Sequence, residues 1–230
     1  MLKKCSQLSE RLYKISVAPD NEFTFNHFLL VDDYPIWFHC GRTGWFKQVS
    51  QYAQQILNKK QLAYIAFSHF EADETAALNH WIAKYPAVIP LVGRVGEASI
   101  SDFSNTKPKI FDDNETLNLG NSTLHLLETP HCPHNWDACM FYDEKDKILF
   151  CSDLGTNMRS INNIISDDSS LIDDIIASQQ HFGYLNKGHY LKNTLDRLTQ
   201  LDIDILAIQH GEMLRGKKNI QALFERLYKL

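Results

Sequence analysis

The sequence has no run of the ~20 apolar residues that a bilayer-spanning helix requires, and no cluster of lysine and arginine. Its 23 Lys and Arg are outnumbered by 28 Asp and Glu, giving a net charge of -5. That balance argues against nucleic acid or a membrane surface as partner. Cysteine is sparse and irregular, with five residues at positions 5, 40, 132, 139 and 151. An odd, unevenly spaced set argues against a disulfide framework and fits a reducing compartment. Gly/Ser linkers, low-complexity tracts and strong internal repeats are missing. MLKKCSQLSERLYK at the N-terminus has early positive charge but no apolar stretch behind it, so it does not read as a signal peptide. The expectation is a cytoplasmic chain forming one domain over residues 1–230, with 44% hydrophobic residues to fill its core.

What is present is a series of short apolar runs. Phe23–Val31 and Ile36–Cys40, separated by the turn-rich DDYP, predict a hairpin. The spacing of Phe46, Val49, Ala53, Ile56 and Leu57 predicts a helix over 43–57. Leu62–Phe67 and Val88–Val92 read as buried strands. A helix is expected from Asp73–Thr75 to the stop at Pro86, and a short one ends near Phe103. From 109 onward KIFDD, ETLNLG, STLHLLET, ACMFYDE and KILFCSD predict an antiparallel meander. Helices over 169–182, 189–201 and 215–230, with a strand at 203–209, complete the pattern. Strands at both ends with helices between them imply an α/β (α+β) fold, two sheets covered by helices in a four-layer αββα sandwich.

Four apolar runs stop at a metal-ligand type of residue, and strand ends are where such folds place their sites. LAYIAFSHFEADE carries His69, Glu71, Asp73 and Glu74; the loop after STLHLLET carries His131 and His134; KILFCSD ends at Asp153 and ILAIQHG at His210. A helix N-terminus capped by Ser68 or Asp73 would explain the acids of SHFEADE but not His69. Crowded carboxylates raise one another's pKa unless a cation sits among them. An N/O set without thiolate suits iron or manganese better than zinc, so Cys132 and Cys139 read as small buried residues. DDSSLIDD (167–174) lacks the glycine and spacing of a calcium loop and reads as a helix cap.

The set His69-x-Glu71-x-Asp73, His134, Asp153 and His210 resembles the metallo-β-lactamase fold superfamily. With Glu rather than His at the second position, it is most similar to the diiron domain of flavodiiron proteins and to stand-alone oxygen-binding diiron proteins. The resemblance spans most of the chain, including FTFNHFLLV, IWFHCG and QHG. It implies one metal on His69, Glu71 and His134, a second on Asp73 and His210, and Asp153 bridging them. There are two departures. Glu74 stands where the family commonly has a histidine ligand, so it is a candidate ligand to the second metal or a catalytic group. His39 replaces a supporting Asp. His131 is open between a spare ligand, a catalytic proton donor and a loop residue.

Two divalent ions (+4) against Glu71, Asp73, Glu74 and Asp153 (-4) would be charge-balanced. The implied cofactors are two metal ions, iron favoured over manganese and zinc, without FMN because no phosphate loop follows His210. The implied function is binding or slow reduction of dioxygen or nitric oxide, for sensing or scavenging, with an external redox or signalling partner if it turns over. A homodimer is allowed. The alternative is a hydrolase whose metal-bridging hydroxide attacks an ester, thioester, amide or phosphodiester.

Overall fold

The computed structural model describes residues 2–19 and 23–230. The first sheet runs in sequence order: β1 (Leu2–Gln7), β2 (Leu12–Ala18), β3 (Phe25–Leu30), β4 (Ile36–Phe38), β5 (Tyr64–Ala66), β6 (Ile89–Gly93) and β7 (Lys109–Phe111). Strands β1 to β4 pair antiparallel, and β4 to β7 run parallel. The second sheet contains β8 (Thr116–Asn118), β9 (Thr123–Glu128), β10 (Cys139–Asp143), β11 (Ile148–Ser152), β12 (Ile165–Ser166), β13 (Ile205–Ile208) and β14 (Met213–Arg215), in the order β12-β14-β13-β11-β10-β9-β8. The predicted meander is β8 to β11. KIFDD does not belong to it: β7 extends the parallel edge of the first sheet. Short apolar runs look alike in either sheet, and pairing depends on neighbours far away in sequence. β1, β2, β12 and β14 are strands that no apolar run of the sequence singled out.

Helices α1 (Phe46–Leu57), α3 (Leu78–Lys84) and α4 (Glu97–Phe103) belong to the first sheet's half; α5 (Ser170–Phe182), α6 (His189–Leu198) and α7 (Lys217–Leu227) to the second's. Three apolar layers result. Ile15, Trp37, Val49, Ala53, Ile65 and Trp81 join the first sheet to its helices. Met140, Leu149, Ile175, Leu195, Leu206 and Leu223 do so for the second. Phe28, Phe38, Phe111, Phe141, Phe150 and Met213 fill the space between the sheets. There Phe38 and Phe150 stack with ring centroids 3.7 Å apart, each burial stabilising by roughly 1.5–3 kcal/mol. Strands covered on both faces need apolar residues throughout, which is why they read as continuous runs. The architecture is the expected αββα sandwich.

The helix expected from Asp73 to Pro86 is broken. A single turn, α2 (Ala72–Thr75), precedes α3. The carbonyls of Asp73 and Glu74 accept N–H bonds from Gly41 and Cys40, and Ala77 N–H donates to Gly41 O. Helix-propagating groups are therefore taken by the loop after β4. The N-cap of α5 is Ser169, whose side chain makes no cap bond; Asp168, one residue earlier, accepts the N–H of Ser170 at 2.9 Å, so the capping expected of DDSSLIDD is not made at the N-cap itself. Among the described residues no helix is long and apolar enough to cross a membrane.

Candidate metal centre

Strands β9, β11 and β13 run in one direction, so the loops after them leave from one edge of the second sheet. Those loops carry His134, Asp153 and His210. The first sheet's β5 ends at the same place, because Cys139 N–H donates to Ser68 O at 2.9 Å and Asn26 N–H to Gln209 O at 2.7 Å. Segments up to about 140 residues apart thus meet at a joint between two rigid sheets.

Two donor sets face each other there. In the first, His69 Nε2 is 2.9 Å and His134 Nε2 3.6 Å from Glu71 Oε2, and His134 Nε2 is 2.8 Å from Asp153 Oδ2. One donor atom from each of these four residues lies within 4.8 Å of all the others. In the second, His210 Nε2 is 3.2 Å from Asp73 Oδ2 and 3.1 Å from Asp153 Oδ1. Asp153 therefore turns one oxygen to each set. All three imidazoles present Nε2 inward because Nδ1 is engaged behind: with Ser68 Oγ at 3.2 Å for His69, Asn135 Oδ1 at 3.1 Å for His134, and the Thr24 carbonyl at 3.1 Å for His210. Outer partners of this kind fix ring orientation for a metal. Gln209 Nε2 donates to Asp73 Oδ2 at 3.2 Å.

Charge in the joint is mutual. Burial disfavours the charged form of His69, but Glu71, Glu74 and Asp153 outweigh it and hold the imidazole up at about 9. Burial acts likewise on His210, and Asp153 and Asp73 bring it to about 10. His134 is raised as well, mainly by Asp153 overcoming burial. Burial should raise the Asp153 carboxyl; His134, His210 and His69 instead hold it well below the usual range. Asp153 Oδ1 is buried, and although His210 Nε2 stands 3.1 Å away it is not aligned for a hydrogen bond. A buried, ionised oxygen without an aligned donor is costly, and a cation is a group that would satisfy it. Ions with ligand bonds of about 2.0–2.2 Å need donors roughly 3–4 Å apart, which both sets approach. The residues fit metal ions.

The capping explanation of SHFEADE does not hold: the α2 N-cap is Glu71, and no side chain caps it. Glu74 is not with the donor sets. It is fully buried, its Oε2 lies 2.6 Å from His39 Nδ1 and accepts the Ser68 N–H at 3.2 Å, and its Oε1 accepts the Ser152 hydroxyl at 2.7 Å. The expectation of Glu74 as ligand or catalytic group is corrected by that position: its helical turn sends Asp73 outward and Glu74 into the protein. His131 is likewise not at the joint; its ring packs 4.5 Å from Tyr190, with a left-handed backbone (φ +62°). Cys132 and Cys139 are buried small residues as expected, and burial pushes the Cys132 thiol up to about 12.

Phe23, Phe25, Arg42, Thr156, Phe182 and Tyr184 belong to none of the ligand-bearing segments and were not legible as site residues. With Glu71, Asp73, His134, Asp153 and His210 they line a cavity of about 520 Å³ over the donor sets. Phe23 stacks on His210 with centroids 4.6 Å apart, and Tyr184 lies 5.1 Å from the His134 ring.

The fold recurs in solved structures. The flavodiiron protein of Giardia intestinalis superposes with a TM-score of 0.85 at 16% identity, over 98% of this chain and 59% of that one. The rubredoxin:oxygen oxidoreductase of Desulfovibrio gigas does so with a TM-score of 0.84 at 15% identity, over 98% and 61%. In sequence, a flavo-diiron protein of Clostridium acetobutylicum is 19% identical over 212 residues, 90% of this chain and 53% of that protein. The chain spans about half the length of the curated relatives it matches. Residues 23–211, which hold every donor described above, match the family model described as ODP family beta lactamase, and the chain belongs to that family.

Proposed function

We propose that the joint holds two metal ions, iron by preference, and that the protein binds or slowly reduces a small gaseous ligand, dioxygen or nitric oxide, as a sensor or scavenger. The observation that carries this reading is Asp153, whose two oxygens divide between the donor sets. His69, Glu71 and His134 would hold one ion, and Asp73 and His210 the other. Iron bound there would supply one-electron chemistry toward such a gas. The chain's own residues orient the imidazoles, keep Asp153 ionised and line the approach with Phe23, Phe25, Phe182 and Tyr184. Those rings offer apolar contacts that suit an uncharged diatomic. The name of the Desulfovibrio relative, an oxygen oxidoreductase, supports the same direction. With Glu74 turned away, the ligating carboxylates are Glu71, Asp73 and Asp153, so -3 faces +4 rather than the balanced -4. One further anionic ligand, such as hydroxide, would complete the balance. Turnover would need electrons from an external donor.

The test is anaerobic purification, metal analysis, and an optical spectrum before and after oxygen. Two irons per chain and a visible band that appears on exposure to oxygen support the reading; zinc or manganese with no spectral change defeats it. The cavity, at about 520 Å³ with Arg42 on its wall, exceeds what a diatomic needs. That favours the hydrolase as the second reading, to be assayed on aryl esters and phosphodiesters.

Metal uptake should release protons at pH 7–8, because the ions displace protons that His69 and His210 hold up to about 9 and about 10. Affinity should therefore rise with pH across this window. The ion-free protein should show the opposite trend. Raised imidazoles stabilise the fold fully below their unfolded value of about 6.5 and lose that contribution as pH rises through about 9 to about 10. The lowered Asp153 and Asp73 contribute above about 3.9, a contribution lost on acidification. Melting temperatures of ion-free and loaded protein from pH 6 to 10 check the imidazole trends, and a series on ion-free protein from pH 2 to 6 checks the carboxylates.

A further inference from the structure

We propose that Glu74 is a positioning residue: a buried carboxylate that ties together the strand ends bearing both donor sets and so fixes the spacing between the two ions. This rests on the dinuclear reading above. Its three hydrogen bonds go to His39 after β4, to the Ser68 N–H after β5 and to the Ser152 hydroxyl at the end of β11. Ser68 precedes His69, Ser152 precedes Asp153, and Glu74 itself follows Asp73. The connection continues to the fourth segment. Ser152 Oγ lies 3.0 Å from Gln209 Oε1, and Gln209 Nε2 donates to Asp73 Oδ2 at 3.2 Å, beside His210. The side chain thus meets the neighbours of His69 and Asp153 directly, and it is linked to the second set through its own chain neighbour Asp73 and through Ser152 and Gln209.

Two of its partners hold unusual backbone conformations. His39 (φ +65°) and Ser152 (φ +48°) are left-handed without being glycine. Such residues persist where surrounding contacts over-determine them, and here both side chains converge on one carboxylate. The main chain of α2 is fixed in parallel, since Cys40 N–H donates to Glu74 O at 2.7 Å and Gly41 N–H to Asp73 O at 3.0 Å. Glu74 is too enclosed to take an ion from the cavity, and it does not line that cavity.

The carboxylate acts as an acceptor, so an amide can replace it. In Glu74→Gln the oxygen accepts from His39 and Ser68, the amide N–H donates to Ser152, and the Ser152 hydroxyl donates to Gln209. Equilibrium dialysis with ferrous ion, followed by metal analysis and the optical spectrum, gives the readout. Glu74→Gln should keep two ions per chain with affinities within about threefold of wild type and an unchanged spectrum. Glu74→Ala should weaken both ions by about 10- to 100-fold, the range for loss of outer partners. Loss of one ion alone in both variants would mark Glu74 as a direct ligand and overturn the proposal, as would full retention of both ions in Glu74→Ala. Should Glu74→Ala not fold, Ser152→Ala decides: weaker binding of both ions supports the tie, and unchanged binding refutes it. A wild-type chain with fewer than two ions defeats the dinuclear reading itself, a result distinct from either.

Discussion

Asp153→Ala should empty both ion positions at once. Among the described residues no other side chain offers an oxygen to each donor set: Oδ2 stands 2.8 Å from His134 and 3.7 Å from His69, and Oδ1 3.1 Å from His210. Removing it leaves the first set with three donors and the second with two, Asp73 and His210. Affinity at each position should fall by at least about 100-fold, since loss of a ligand exceeds the 10- to 100-fold effect of losing an outer partner. Metal analysis should find less than one ion per two chains. Asp73→Ala provides the contrast, because His210 is the one other donor that Asp73 stands beside, and its loss should cost only the second ion. If Asp153→Ala kept one ion at full affinity, the shared-carboxylate arrangement would be wrong.

Gly211→Ala should be the most damaging single change to the fold near the site. Gly211 has φ +96°, and a Cβ there would meet the Asn157 backbone oxygen at 2.2 Å and its Oδ1 at 2.3 Å. Neither atom can give. Asn157 N–H donates to His210 O at 3.1 Å, and its Nδ2 bonds Gly155 O and Glu212 O. On the other side the Gly211 carbonyl accepts from the buried Asn26 at 2.9 Å and from buried Lys14 at 3.3 Å. Left-handed strain of about 1–2 kcal/mol adds to an overpacking cost of roughly 1–3 kcal/mol. A total of about 3 kcal/mol lowers the melting temperature by roughly 6–12 °C in a domain of this size. The second ion should weaken too, because His210 is the preceding residue. Gly183→Ala is the control: it has φ +66° and nothing within 4 Å of its added Cβ, so only the strain applies. Equal melting temperatures for the two variants would show that the loop yields.

The αββα layering was readable in the chain because strands covered on both faces must be apolar throughout. Phe67, Ser152 and Ile208 end such runs or follow them closely, and the candidate ligands stand just beyond. Sheet membership was not readable for β7, since KIF carries no mark of the partner it pairs with. The break between α2 and α3 was hidden for a similar reason. Its cause is a pair of N–H groups, on Cys40 and Gly41, that lie more than thirty residues upstream.

The donor types and the strand ends that carry them follow from the order of residues alone: His69, Glu71, Asp73, His134, Asp153 and His210. Residue identity sets ligand chemistry, and the end of an apolar run sets where a rigid strand stops. Side-chain direction comes from the packing of the folded chain. Asp73 and Glu74 are neighbours with the same functional group, yet one faces His210 and the other His39. The turn of α2 rotates successive side chains by about 100°, and its docking against the loop after β4 determines which of them points at the joint.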